Sequence, residues 1–366
     1  MKQAYLADSV FTGNEMLQDH AVLTENNMVT GIVRKSGIPS GYSIAEQEDC
    51  IIAPAFIDLQ IYGGLGKLFS HSLDIAALET TYAYCLSGGC THFMITMATN
   101  SIENFLIGIE VAGAYMASGK KGLLGIHLEG PYINPAKKGA HIETFIKKPS
   151  REEVLLFLEK GIGVFKMITL APEECDTEII QLLMDQGILV SAGHSNATYT
   201  QATNAFDLGI PAVTHFFNAM SALQGRAPGM VGAVYAHSKI MSSIICDGVH
   251  VDFDSVRLSK KIMGERLFFI TDAVTEISEG YYQHIFQGNR YTLPDGTLSG
   301  SCMTMMSTFK NAVEKVGIPI TEALKMCSAY PASLLKDPLL GKIIIGVPAD
   351  FLLINRQSLS LKEIVH

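Results

Sequence analysis

The sequence predicts an α/β protein: a (β/α)8 TIM-like barrel with a small β-sandwich domain built from both chain termini. Three observations lead there. Eight apolar, β-rich runs each end in polar or special residues, and helix-like stretches separate most of them. Alternating strand and helix implies parallel pairing with right-handed crossovers, and near-continuous apolar runs suit strands buried on both faces. The two ends of the chain lack this alternation and read instead as short strand-like segments broken by turns. A doubly wound open sheet would carry a glycine-rich dinucleotide loop after an early strand, and "GGLG" (63–66) lacks the required spacing.

The elements follow in order. The N-terminal segment carries turn signals at "TGN" (12–14), "ENN" (25–27) and "SGIPSGY" (36–42). The eight barrel runs are then 55–64, 90–99, 123–131, 164–173, 187–195, 211–220, 242–250 and 266–274. Helical patterns lie between them at 101–117, 176–187 and 196–209. The last two open on Asp176 and Asn196 as caps and close on glycine. The closing "GKIIIGVPADFLLIN" (341–355) has the strand-like character of the first segment. The expected division is a small β domain from 1–52 plus 343–366 and a (β/α)8 barrel from 53–342.

Composition narrows the function. With 366 residues, 48% of them hydrophobic, the chain can bury one large core. No apolar run approaches the roughly 20 residues of a membrane span, and "MKQAYLADSV" lacks a signal-peptide pattern. A soluble cytoplasmic protein with no membrane partner is expected. The net charge of −9 argues against nucleic-acid binding, which needs a basic footprint. Seven cysteines with no C-x-x-C pair read as reduced, mostly buried thiols.

In a barrel of this kind, the chemistry sits at the C-terminal ends of the strands. There the first run offers Gln60 and Tyr62, the third His127 and Glu129, and the fifth His194. The sixth offers His215 and Asn218, the seventh Asp247 and His250, and the eighth Asp272. Singly, each has a bland reading as a hydrogen-bonded core residue or a helix cap. Converging on one mouth, Glu129, His194 and His215 make a carboxylate-plus-two-imidazole set for a catalytic metal, with a position left for water. Pairing with that metal offsets the cost of burying Glu129. His127 reads as a barrel-interior or outer-shell hydrogen bonder. Asp272 beside the metal's water would serve as general base and then general acid in amide hydrolysis. No G-x-S-x-G elbow is present to support a serine nucleophile.

The stretches "HLEGPYINPAKKGAH" (127–141), "SAGHSNATY" (191–199), "THFFNAMSALQGRAPG" (214–229), "DGVHVD" (247–252), "ITDAV" (270–274) and "DGTLSGS" (295–301) resemble the amidohydrolase superfamily, and more closely its N-acetylglucosamine-6-phosphate deacetylase branch. The resemblance covers essentially the whole chain. It implies removal of the acetyl group from N-acetylglucosamine 6-phosphate, with the galacto epimer as the alternative substrate. It implies one divalent metal held by Glu129, His194 and His215, zinc by choice, with iron, cobalt or manganese left open. Asp272 and His141 would be catalytic, His141 by polarising the acetamide carbonyl. Ala140, Asn218 and Ala219 would contact the substrate, His250 and Arg226 its phosphate, and Leu298 its acetyl group. In such proteins the arginine can come from the partner of a homodimer, which is the expected assembly. Lys137 and Lys138 read as a solvated pair. Many superfamily members carry His-x-His on the first strand for a second metal. Here the positions read Gln60-x-Tyr62, which disfavours a second ion.

Overall fold

The computed structural model describes residues 1–366. Eight parallel strands form one sheet in chain order. They are strand 1 (Phe56–Ile61), strand 2 (Cys90–Ala98), strand 3 (Leu123–Glu129) and strand 4 (Phe165–Leu170), then strand 5 (Leu189–Ala192), strand 6 (Ala212–Val213), strand 7 (Met241–Ile244) and strand 8 (Leu267–Phe269). Each pairs with the next, as expected of a (β/α)8 barrel.

Strands 1 and 8 close the ring at their C-terminal ends. The Asp272 amide donates to the Gln60 carbonyl at 2.9 Å, and the Tyr62 amide donates to the Ala273 carbonyl at 2.9 Å. Below these bonds Asp58, 1% exposed, latches the seam. Its carboxylate accepts from the backbone amides of Gln60 (3.1 Å) and Thr271 (3.2 Å) and from the Thr271 hydroxyl. Burial pushes its pKa up to about 6, against the opposing pull of these bonds.

Several barrel strands are shorter than the apolar runs that announce them. The sixth run spans ten residues, yet regular pairing ends at Val213. The reason is backbone conformation: His215 (φ 32°), Phe217 (φ 76°) and Ala219 (φ 48°) are left-handed and turn the chain across the barrel mouth. The helix expected over 196–209 also begins later than its sequence suggests. The helix Tyr199–Leu208 is capped by Thr198 in a capping box with Gln201, and Asn196 instead donates its amide to Glu173 at 2.6 Å.

The chain ends build a second sheet of seven strands. Ser43–Pro54 pairs in parallel with Lys2–Phe11 on one side and antiparallel with Phe351–Asn355 on the other. His20–Glu25, Met28–Arg34, Met16–Gln18 and Leu361–Val365 complete it. Val10, Val22, Val29, Cys50, Ile52, Phe351 and Leu353 form its own apolar core, separate from that of the barrel.

Inside the barrel, just under the mouth, lies a layer of neutral polar side chains. His127 Nε2 meets Thr169 Oγ1 at 2.7 Å, Thr169 meets Thr214 at 2.7 Å, and Thr214 meets Ser191 at 2.6 Å. His127 therefore takes the barrel-interior position anticipated for it. Burial lowers its pKa to about 4, so it is neutral.

Candidate active site

Glu129, the last residue of strand 3, is 1% exposed. The chain turns away from it at Gly130, which has φ +88° and no room for a side chain: a Cβ there would lie 2.1 Å from Thr99 Oγ1. Three imidazoles surround the carboxylate. Its Oε1 lies 2.9 Å from His215 Nε2 and 3.4 Å from His194 Nε2, and its Oε2 lies 3.2 Å from His141 Nε2. Burial alone would raise the Glu129 pKa, but positive charge among the imidazoles, at His194 first, outweighs it and pulls the carboxyl well below its usual range.

Hydrogen bonds to the far ring nitrogens assign the histidines different parts. The Nδ1 of His194 faces the Lys137 carbonyl at 2.8 Å and must donate to it, so its Nε2 carries a lone pair. The Nδ1 of His141 accepts the Thr99 backbone amide at 3.2 Å, so in the neutral ring Nε2 carries the proton. Burial, and then the nearby His194, lower its pKa to about 4, so that neutral form is the one present at pH 7. The Nδ1 of His215 is buried without a partner, so no bond there fixes its tautomer, and Nε2 presents a lone pair when the proton sits on Nδ1.

His194 Nε2 and His215 Nε2 stand 3.1 Å apart. Two lone pairs and a carboxylate oxygen converging this closely repel one another unless a cation lies among them, and this donor set suits a divalent ion. Glu129, His141 and His194 also place ligand atoms within 4.8 Å of one another. Of the histidines, His141 is the one whose tautomer makes it a proton donor rather than a ligand.

Strand 1 supplies neutral donors to the same carboxylates. Gln60 Nε2 lies 3.0 Å from Glu129 Oε1, 2.8 Å from Asp272 Oδ1 and 2.8 Å from the Tyr62 hydroxyl. The Tyr62 hydroxyl donates to Glu129 Oε2. Burial and the Glu129 charge raise the Tyr62 pKa well above its ordinary value, which keeps it a phenol. Burial, then the charges of Glu129 and Asp58, also push Asp272 well above the usual carboxylate range. His194 (φ 47°), His215 (φ 32°) and Asp272 (φ 54°) all have left-handed backbones, a strained conformation for such residues and one that concentrates at functional sites.

These groups open into a concave pocket of about 180 Å3 at the barrel mouth. Glu129, His194, His215, His141 and Asp272 line it together with Ala140, Asn218, Ala219, His250 and Leu298. Behind His250, Asp247 Oδ2 meets its Nδ1 at 2.6 Å, which turns Nε2 toward the pocket side. Arg226 is not brought there. It sits exposed at the tip of a tight turn closed by paired backbone bonds between Gln224 and Ala227. Lys137 and Lys138 stay outside the pocket as well, Lys138 pairing with Glu143 at 3.0 Å. No lysine or arginine lines the pocket. Ser70, Tyr282, His284 and Ser299 also line it, and sequence reasoning missed them. Ser70, Tyr282 and His284 lie in segments with no motif spacing, and only the fold brings them to the mouth, whereas Ser299 lies within the quoted "DGTLSGS" stretch beside Leu298.

Comparison with known proteins agrees with this geometry. The amidohydrolase family profile matches residues 51–365. The N-acetylglucosamine-6-phosphate deacetylase of Haemophilus influenzae is 34% identical over 96% of this chain and 94% of its own. The N-acetylgalactosamine-6-phosphate deacetylase of a Shewanella strain is 32% identical over 82% of this chain and 78% of its own. The crystal structure of N-acetylglucosamine-6-phosphate deacetylase from Pasteurella multocida superposes with a TM-score of 0.94 at 32% identity, covering 100% of this chain and 98% of that one. By barrel, site and sequence alike, this chain belongs to the amidohydrolase family.

Proposed function

We propose that this protein hydrolyses the acetamide of N-acetylglucosamine 6-phosphate, releasing acetate and glucosamine 6-phosphate. The observation that carries this reading is the convergence of Glu129, His194 and His215 beside a proton-donating His141 and the Asp272 carboxyl. Glu129, His194 and His215 would hold one divalent ion, zinc by the preference of nitrogen and carboxylate donors in an open site. Such an ion polarises a carbonyl and lowers the pKa of its water. Gln60 and Tyr62 argue for a single ion, because each spends its polar atoms on the carboxylates rather than presenting a ligand.

The chain's own groups divide the remaining work. Asp272, ionised in the loaded site, takes a proton from the attacking water and delivers it to the amide nitrogen as the C–N bond breaks. His141 donates its Nε2 proton as a hydrogen bond to the carbonyl oxygen, where negative charge develops. Thr99 holds that ring from behind through Nδ1. Ala140, Asn218 and Ala219 position the sugar, and Leu298 borders the acetyl methyl. His250, backed by Asp247, meets the phosphate.

One histidine is a weak counter-charge for a dianion. Arg226, exposed at its turn tip, is free to contact another molecule. We therefore infer a homodimer in which Arg226 crosses to the partner's phosphate site. Seven free cysteines, most of them buried, suit a reducing compartment such as the cytoplasm.

Acetate release from N-acetylglucosamine 6-phosphate, measured beside the unphosphorylated sugar and the galacto epimer with one equivalent of zinc, tests the reading. Fast release only from the phosphorylated gluco sugar is expected. Faster release from the galacto epimer would move the assignment to that sugar, which a relative's activity already makes the second candidate. Release from neither would overturn the substrate.

A further inference from the structure

After strand 8 the chain makes a long excursion over the barrel mouth before returning at Ser301, whose amide donates to the Asp272 carbonyl at 2.8 Å. The excursion carries a short hairpin, Ile285–Phe286 with Tyr291–Thr292. Just before its first strand lies His284, 5% exposed and part of the pocket wall.

Its ring is fixed from several sides. Tyr282 stacks beside it at 6.3 Å with the planes 18° apart, and Tyr291 meets it edge-on at 6.4 Å. Tyr282 is itself anchored, its hydroxyl donating to the Thr99 carbonyl at 2.6 Å. The His284 backbone is bonded in both directions to Ile277. Nδ1 is taken by the Ser299 hydroxyl at 2.9 Å. Nε2 has no partner in the chain, yet it is not sealed off as the orphaned Nδ1 of His215 is.

A polar nitrogen held rigidly at the pocket wall and left without a partner in the chain is available to whatever enters the pocket. Every other histidine of the pocket already has a task in the proposed reaction. We propose that His284 Nε2 hydrogen-bonds one ring hydroxyl of the sugar and so helps decide which hexosamine phosphate is accepted. This rests on the amino-sugar phosphate reading above.

The chemistry favours a hydroxyl over the phosphate. Burial lowers the His284 pKa to about 4, so the ring is neutral when the enzyme works. A neutral imidazole with Ser299 at its back can switch tautomer, since that hydroxyl donates or accepts equally well. Nε2 can therefore match a sugar hydroxyl in either role. It offers a dianion little.

The test is a cycle between the residue and the substrate. The wild-type protein and His284→Phe, whose flat ring keeps the packing against Tyr282 and Tyr291, are each assayed on N-acetylglucosamine 6-phosphate and its 1-, 3- and 4-deoxy analogues. Metal content and melting temperature are measured alongside. The expected result is that one analogue is hydrolysed roughly 3- to 10-fold less efficiently by the wild-type protein, the effect of one neutral hydrogen bond. In His284→Phe that one penalty vanishes, the other two persist, KM moves more than kcat, and metal content is unchanged. His284→Asn, which keeps a polar side chain, is expected to restore part of the discrimination. If all four sugars fall by the same factor in His284→Phe, or the deoxy penalties are unaltered, His284 is a packing residue and the proposal fails. If the wild-type protein hydrolyses none of the four, the substrate reading fails and takes this assignment with it.

Discussion

At the scale of single residues, geometry separates groups that composition cannot. Asp272 and Glu129 are both buried carboxylates touched by Gln60, but only Glu129 is ringed by imidazoles. Asp272→Asn is expected to keep its metal by elemental analysis while kcat falls about 10²- to 10⁴-fold, the usual worth of a general acid–base. A near-normal rate would remove Asp272 from the mechanism. His215→Ala and His194→Ala are each expected to lose metal on dialysis, whereas His141→Ala is expected to keep metal and lose rate, since its Nε2 bears a proton. Equal metal loss in all three would make His141 a ligand. Glu129, His194, His215 and Asp272 were legible in the sequence because strand ends fix their place in a barrel. His284 was not, because nothing local aims it. It reaches the pocket only by an excursion whose course depends on Tyr282 finding Thr99.

At the scale of elements, the seam between strands 1 and 8 holds Asp272 to the rest of the ring. Asp58 latches that seam, and its folded pKa of about 6 lies above the ordinary value of 3.8. The folded protein then binds this proton more tightly than the unfolded chain does. The group's contribution to stability is therefore fullest below about pH 4 and is lost as pH rises to about 6. Asp58→Asn keeps an acceptor for the two backbone amides and removes the titration. The unfolding free energy of the wild-type protein relative to this variant is expected to fall by up to about 3 kcal/mol between pH 4 and pH 6 in denaturant melts. A constant difference across that range would assign Asp58 an ordinary pKa. The alternation of strand and helix made the barrel readable, but strand ends were less so. The sixth run keeps its apolar character through Phe216 and Phe217, while a left-handed backbone at His215 already bends it out of the sheet. Hydrophobic pattern records burial, and burial continues past the last ladder bond.

At the scale of the whole molecule, the proposed homodimer accounts for a pocket without a lysine or arginine and an exposed Arg226. Arg226→Ala and Asp272→Asn homodimers are each expected to be nearly inactive toward the phosphorylated sugar. Mixing and refolding the two together is expected to restore up to about a quarter of wild-type activity, through heterodimer sites that pair an intact Asp272 with an intact Arg226 from the other subunit. No recovery, or a monomer by sedimentation, would end the shared-site reading. The sequence placed Arg226 in a loop, as the structure does, but a loop carries no periodicity from which its contacts can be read. The second sheet has a consequence in time. Ser43–Pro54 takes one of its flanking partners, Phe351–Asn355, from nearly 300 residues downstream. At a ribosome's pace of about 5–20 residues per second, that strand edge stays open for roughly 15–60 seconds while the entire barrel is synthesised. An open edge invites foreign strands. The residues that wait, Cys50–Pro54, are apolar, and the only repulsion against a like chain comes from the acidic Glu46, Glu48 and Asp49 just before them.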